Sequence, residues 1–223
     1  MDRTYKLNGG FKPTTKRERL IGSGALKRAF DAAGALALIV LLSPIMLLIA
    51  ALVAMEGGPV FFGHERVGFG GRAFRCLKFR TMVPNAVEVL SDLLARDPAA
   101  AREWVMTQKL RDDPRITRLG TFLRKTSLDE LPQLWNILAG EMSLVGPRPI
   151  VQSEVERYGS YIHYYYAVRP GLTGLWQVRG RSNTSYAERI EMDVEYVSSC
   201  TLGKDIKILI ETVPAVLRRS DAF

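Results

Sequence analysis

The sequence predicts an α+β protein: a compact, mostly helical domain with a small β-hairpin, attached to a long apolar helix that enters a membrane. Three observations carry that expectation. Residues 32–55 form a run of 24 residues without a charge. Residues 60–82, VFFGHERVGFGGRAFRCLKFRTM, place β-type side chains on either side of a glycine-rich turn at 68–71, the pattern of a hairpin. Residues 85–110, 111–138 and 206–219 then read as helical segments. With 223 residues, 47% of them hydrophobic, the chain has enough apolar side chain for a substantial core and is not a disordered polymer.

Taken in order, residues 1–26 contain Gly9-Gly10, Pro13 and Thr14-Thr15 and read as a flexible basic tail suited to anionic headgroups. The apolar run follows within residues 27–56. As one helix its 24 residues extend about 36 Å, more than the roughly 30 Å hydrocarbon core. It is too long and starts too late for a signal peptide. Ser43-Pro44 lies at its middle, where proline removes an amide donor that water cannot replace. Residues 1–31 carry eight Lys/Arg against three acids, and residues 57–83 carry five against Glu65 alone. The positive-inside rule keeps both flanks cytoplasmic. A helix that enters and returns and a proline-kinked ordinary span both satisfy these residues.

The segment 111–138 reads as two short helices broken near Thr126-Ser127. Residues 206–219 form a mostly apolar helix with Lys204, Lys207, Arg218 and Arg219 at its ends, a composition shared by interfacial amphipathic helices and core-packed ones. Neither an internal repeat nor a low-complexity tract is present.

Charge and composition narrow the function classes. Thirty-one Lys and Arg against 23 Asp and Glu give +8, which points to anionic partners such as lipid headgroups or phosphorylated substrates. Cys76 and Cys200 have no metal-ligand spacing, and His64 and His163 are the only histidines, so a zinc site, a disulfide framework and a histidine-based triad lack support. No phosphate loop of the Gly-rich type appears, and no nucleic-acid-binding motif is recognisable.

Four motifs carry possible chemistry. In KFRTM (78–82) a strand places Lys78 and Arg80 on one face and Phe79 on the other. SLDELPQL (127–134) puts adjacent carboxylates, Asp129 and Glu130, at a helix start. One reading is a capping box from Ser127 to Glu130; the other is a nucleophile beside a cation-holding acid. Pro132 weakens the capping reading, because it falls beyond the first four positions, where a missing amide proton is harmless. In GPRP (146–149), Pro147 and Pro149 stiffen the backbone around Arg148, whose planar fork suits phosphate. VRPGLTGLWQVRGR (168–181) combines Arg169, Arg179 and Arg181 with three glycines that permit close approach to a ligand.

In this order, the apolar run with Ser43-Pro44, KFRTM, DDPRITRLGTFLRKTSLDELPQLWNIL, GEMSLVGPRP and RPGLTGLWQVRGR resemble the bacterial monotopic phosphoglycosyl transferases. Within that family the resemblance is to the compact enzymes that initiate exopolysaccharide repeats, without extra N-terminal spans. It covers residues 27–219 approximately.

The resemblance implies a helix-break-helix re-entrant element at residues 27–56 and a catalytic domain at 57–223 on the cytoplasmic face of the bacterial inner membrane. It implies a magnesium-dependent covalent mechanism with UDP-sugar and polyprenyl (undecaprenyl) phosphate as substrates. UDP-glucose or UDP-galactose is the expected donor. Asp129 matches the family's nucleophile, Glu130 its partner in holding Mg²⁺, and Lys78 and Arg148 its phosphate-handling cations. Asp205 in LGKDIKIL matches an active-site acid, with Asp193 a second acid in a similar helical context. The competing reading is a peripheral scaffold that holds anionic lipid on a basic surface. The sequence leaves the assembly open between a monomer and a homodimer.

Overall fold

A computed structural model of the chain describes residues 24–180 and 184–217. Most of the expected tail therefore lies outside the described residues, as does Arg181. Helix α1 (Ala25–Met55) contains the whole apolar run, with Pro44 inside it. The sequence predicts a break at Ser43-Pro44, but the helical run continues across both residues. Proline's fixed φ is itself helical, and an apolar surrounding offers the neighbouring peptide groups no better partners than their own helix. The helix ends where Gly57 and Gly58 adopt φ of +77° and +74°, a left-handed pair that side-chain-bearing residues resist.

The expected hairpin follows. Strands β1 (Phe61–Val67) and β2 (Ala73–Phe79) pair across a 3-10 turn at Phe69–Gly71. The predicted helical stretch 85–110 forms two helices, α2 (Ala86–Arg96) and α3 (Pro98–Thr107). Asp97 divides them: its carboxylate accepts from the Ala99 and Ala100 amides at 2.8 and 3.2 Å, and Pro98 occupies the first helical position, where no amide is needed. After them come α4 (Arg118–Thr126), α5 (Gln133–Ala139), β3 (Ser143–Val145), α6 (Val155–Tyr158), α7 (Ile162–Tyr166), β4 (Gly171–Thr173), α8 (Leu175–Arg179), α9 (Tyr186–Ser198) and α10 (Leu202–Leu217). Strands β3 and β4 pair in parallel, Ser143 with Gly171 and Val145 with Thr173, so the chain between them makes the crossover that parallel pairing demands.

The contacts divide the chain into two compact units. Of the described residues, the first takes in 24–42, Gly63–Leu77, 132–180 and 184–217; the second takes in Ser43–Phe62 and Lys78–Leu131.

In the first unit, Ala35 of α1 packs with Phe74, Cys76, Leu134, Ile137, Leu144 and Ile208. A tyrosine-rich cluster (Tyr158, Tyr164, Tyr165) surrounds Ile190 and Val194. Asn136 ties α5 to β2: its amide donates to the Arg75 carbonyl at 2.8 Å and its oxygen accepts from the Leu77 amide at 2.9 Å. Helix α10 buries Ile208 but leaves Ile206, Ile210 and Val213 exposed, a spacing that puts an apolar stripe on its outer face, as an interfacial helix requires.

In the second unit, Ile49 and Val53 of α1 pack with Phe79 and Leu123, and Phe61 stacks on Phe79 with ring centroids 5.4 Å apart. Along α1 as a whole, Leu36, Val40, Leu41, Leu47 and Leu48 are exposed. A helix this apolar, with mean hydropathy 3.0 over its best window and only 11% of that window buried, is long and apolar enough to cross a membrane.

Candidate active site

The site grows from a local backbone event. Helix α4 ends at Ser127, whose φ is +57°. Leu128–Glu130 then form a single 3-10 turn, and Leu128 and Leu131 pack against the core of the second unit. Those two leucines fix the turn, so the acids between them project together instead of trailing along a helix. Ser127 makes no side-chain cap. Its positive φ commits it to ending α4, which removes the capping-box reading of Glu130.

Glu130 bonds elsewhere. The Lys78 ammonium donates to Oε1 of Glu130 at 2.8 Å and to Oδ2 of Asp129 at 3.1 Å. One cation thus bridges two consecutive carboxylates, and Asp129 is only 6% exposed. Burial raises the Asp129 pKa, the Lys78 charge opposes that rise, and the Glu130 charge adds to it; the result is a carboxyl above its ordinary value. Strand alternation delivers Lys78 to this cluster while Phe79 enters the core.

Arg80 goes elsewhere. It is 6% exposed, and its guanidinium donates to the Val53 carbonyl at 3.0 Å, tying β2 to the end of α1. The two cations of KFRTM therefore take different partners.

Two residues that the sequence reading did not single out complete the cluster. Arg124 in the last turn of α4 donates through Nε to Oγ1 of Thr81 at 2.9 Å. Its guanidinium pKa is lowered by burial and held up by the charges of Asp129 and Asp113. Asp113 is itself gripped by Arg115, with bonds of 2.8 and 2.6 Å to its two oxygens. Gly120 lets α4 come this close: a Cβ there would fall 2.0 Å from the Thr81 carbonyl oxygen. The available signal was RKTSLDE itself, an arginine five residues ahead of Asp129.

The remaining candidates belong to the first unit. Arg148 is exposed between the buried Pro147 and Pro149, with its guanidinium 6.0 Å from the Trp176 ring centre. Arg169 donates to the Gly140 carbonyl at 2.7 Å, closing the end of α5, and lies over Phe69 at 5.5 Å. Arg179 is exposed and pairs with Glu195 at 3.5 Å.

Neither C-terminal acid presents a free carboxylate. Asp205, 1% exposed, accepts from Lys27 at 2.9 Å and from the Tyr196 hydroxyl at 2.8 Å. Asp193 accepts from the Tyr158 hydroxyl at 2.8 Å, and burial pushes its pKa up to about 7.

Among the described residues no group of three His, Cys, Asp or Glu side chains is arranged to cage a metal. The Asp129–Glu130 pair nevertheless suits Mg²⁺. This ion takes hard oxygen ligands and is commonly held by one or two carboxylates, with waters and substrate phosphates filling the rest.

The sequence model of the bacterial sugar transferase family matches residues 22–219. The chain is 54% identical over 198 residues to a UDP-galactose-lipid carrier transferase of Erwinia amylovora, an alignment that covers 89% of this chain and 42% of the relative. It is 52% identical over 194 residues to the exopolysaccharide production protein ExoY of Rhizobium meliloti, 86% of each chain. With a UDP-glucose:undecaprenyl-phosphate glucose-1-phosphate transferase of Caulobacter vibrioides it shares 41% identity over 206 residues, 88% of this chain and 72% of the relative. The chain thus spans less than half the length of the Erwinia relative. The family match begins ahead of α1, ends beyond α10 and takes in every residue placed above, and the chain therefore belongs to the family of bacterial sugar transferases.

Proposed function

We propose that this chain transfers a sugar 1-phosphate from a UDP-sugar to a polyprenyl phosphate and releases UMP, with Asp129 as the covalent nucleophile. The observation that carries this reading is the buried Asp129 carboxylate paired with Lys78 and adjoining Glu130. A capping acid would be exposed at a helix start; this one is sequestered, cation-paired and set on a turn that no capping bond explains. The names of relatives supply the substrate class: galactose and glucose donors with a lipid carrier. UDP-galactose and UDP-glucose are accordingly the proposed donors. The site of action would be the cytoplasmic face of the bacterial inner membrane.

In this mechanism an Asp129 carboxylate oxygen attacks the β-phosphorus in line. The bond from that phosphorus to the bridging oxygen breaks, and UMP departs with the oxygen. Lys78 and Arg124 meet the charge that accumulates on the phosphoryl oxygens. Arg148, on a backbone held between two prolines, is a further phosphate-handling cation in this proposal. Mg²⁺, held by Glu130 and Asp129, would neutralise diphosphate charge. The acceptor's phosphate oxygen then attacks the phosphosugar-aspartyl phosphorus and returns Asp129 as a carboxylate. The lysine pairing opposes the rise in pKa that burial imposes on the Asp129 carboxyl and so favours its ionised, nucleophilic form.

Intact-mass measurement on protein incubated with UDP-galactose or UDP-glucose and Mg²⁺, without acceptor, is expected to show a phosphosugar adduct on the peptide containing Asp129. Asp129→Asn is expected to show neither adduct nor UMP release. An adduct on Glu130 would reassign the nucleophile, and a turnover that never forms an adduct would remove the covalent route.

A further inference from the structure

In the first unit, two guanidinium groups lie within cation–π distance of one indole. Trp176 lies on α8 and Arg189 on α9; the Arg189 guanidinium carbon is 4.6 Å from the Trp176 ring centre, and that of Arg148 is 6.0 Å from the same centre. A third cation stands close by. Arg66 donates to the Pro149 carbonyl at 3.2 Å, and its pKa is lowered first by burial and then by the charge of Arg148.

The counter-charge does not match. Among the described residues, neither Arg148 nor Arg189 has a carboxylate within ion-pair distance, and Glu154 serves Arg66 at 3.9 Å. Nε of Arg189 is moreover buried without a hydrogen-bond partner. An aromatic face offsets part of the cost of holding a cation, but two cations on one ring repel each other, and a buried guanidinium nitrogen without an acceptor costs free energy. Both costs fall when a multivalent anion with several acceptor oxygens joins the group. Guanidinium forks match the geometry of a phosphate better than that of any other common anion of this charge.

We propose that Arg189 and Arg148, on the shared platform of Trp176 and with Arg66 beside them, form a binding site for a phosphate ester. Arg189 and Trp176 are its new members. The chemistry fits two sources: the nucleoside monophosphate part of the donor, and the phosphate headgroup of the lipid acceptor. The choice of these two probes rests on the transferase reading above; the existence of the site does not.

The test uses the whole purified chain in lipid nanodiscs. UMP affinity is measured by calorimetry, and KM for a polyprenyl phosphate is measured in the transfer assay, for wild type, Arg189→Gln, Arg189→Lys, Trp176→Phe and Trp176→Leu. Loss of a charged fork is expected to weaken one of the two ligands about tenfold or more in Arg189→Gln. Arg189→Lys recovers part of that loss, and Trp176→Phe stays closer to wild type than Trp176→Leu. A change confined to UMP assigns the site to the nucleotide, and a change confined to polyprenyl phosphate assigns it to the acceptor. Unaltered values for both ligands in Arg189→Gln overturn the site. If Arg189→Gln melts below wild type, Arg189→Lys decides, because it keeps the charge and loses the fork; wild-type values for both ligands in that variant overturn the site equally. Wild-type protein that binds UMP but releases none from UDP-sugars would sink the transferase reading and leave this site standing.

Discussion

The Lys78 ammonium lies 3.1 Å from Oδ2 of Asp129, and this pairing is the main influence opposing the effect of burial on the acidity of the proposed nucleophile. Burial raises the Asp129 pKa, Lys78 pulls it back, and Glu130 raises it again. The nucleophile must be ionised to attack, so its protonation forms the acid limb of the pH profile of kcat/KM. Lys78→Met removes the main opposing charge. It is expected to shift that limb to higher pH and to lower the plateau about a hundredfold, since a charge facing the transition state is lost as well. Profiles of both proteins between pH 5 and 9 check this; a lowered plateau with an unmoved limb would assign Lys78 to the substrate alone.

Thr81 is expected to matter through Arg124. Its hydroxyl is the acceptor for Arg124 Nε at 2.9 Å, and the Arg124 guanidinium feels the charge of Asp129. Thr81→Val keeps the shape and removes the acceptor. A kcat reduced about tenfold, with KM little changed, is expected for a misaligned cation, and Thr81→Ser is expected to restore it. A Thr81→Val enzyme with wild-type kcat would show that Arg124 needs no such support.

The parts legible in the sequence are those fixed by short-range rules. The hairpin followed from β-type residues around Gly68–Gly71, the break after Thr126 from the residues around it, and the membrane-compatible helix from uncharged length. The placement of Lys78 and Phe79 on opposite faces followed from strand alternation. The destinations of Arg80 and Asp205 were not legible, because each is decided by a partner far along the chain: Val53 for Arg80 and Lys27 for Asp205. A lone arginine or aspartate in a motif looks the same whether it faces a ligand or the end of a distant helix. Ser127 left two readings open for a different reason. Its spacing to Glu130 is that of a capping box, and only the positive φ that ends α4 shows that the motif is not used as one.

Lys27 is expected to be a stability determinant. Its ammonium donates to Asp31 at 2.8 Å and to Ser143 at 2.7 Å, and it pairs with Asp205 at 2.9 Å, with all three charged side chains buried. Removing one partner from a buried ionic group costs about 3–5 kcal/mol, because the remaining charges stay behind unpaired. Lys27→Met is therefore expected to lower the thermal midpoint strongly, and Asp205→Asn to lower it less. If Asp205 acts on substrate, Asp205→Asn would instead retain the wild-type midpoint and lose turnover.

Asp193 gives a stability that depends on pH. Its folded pKa is pushed up to about 7 by burial, with the Tyr158 hydrogen bond opposing, against an unfolded value of about 3.9. Between those values the folded state binds more protons than the unfolded state. Stability is therefore fully present below pH 4, falls as pH rises, and levels off above pH 7, a change on the order of 4 kcal/mol. Asp193→Asn is expected to remove this contribution, so the variant gains on wild type in thermal midpoint between pH 5 and pH 8. Parallel curves for the two proteins would mean that Asp193 titrates as an ordinary carboxyl.

We propose that both ends of α1 stay on the cytoplasmic side of the membrane. A straight helix of 31 residues is about 46 Å long, more than the roughly 30 Å hydrocarbon core. Length alone therefore favours a crossing. Charge opposes it, because the residues on both flanks are rich in Lys and Arg and translocating either flank is disfavoured. Pro44 inside the helix is the point at which a bend reconciles the two, since proline lacks the amide and crowds the preceding turn. Single cysteines introduced as Thr15→Cys and Glu88→Cys, in protein carrying Cys76→Ala and Cys200→Ala, are expected to react with a membrane-impermeant maleimide only when the cytoplasmic face is open. Labelling of the two positions from opposite faces would establish a crossing and end the re-entrant reading. Pro44→Leu removes the bend point and is expected to move part of the Thr15→Cys signal to the opposite face; unchanged labelling in that variant would show that flanking charge, not proline, holds the helix in place.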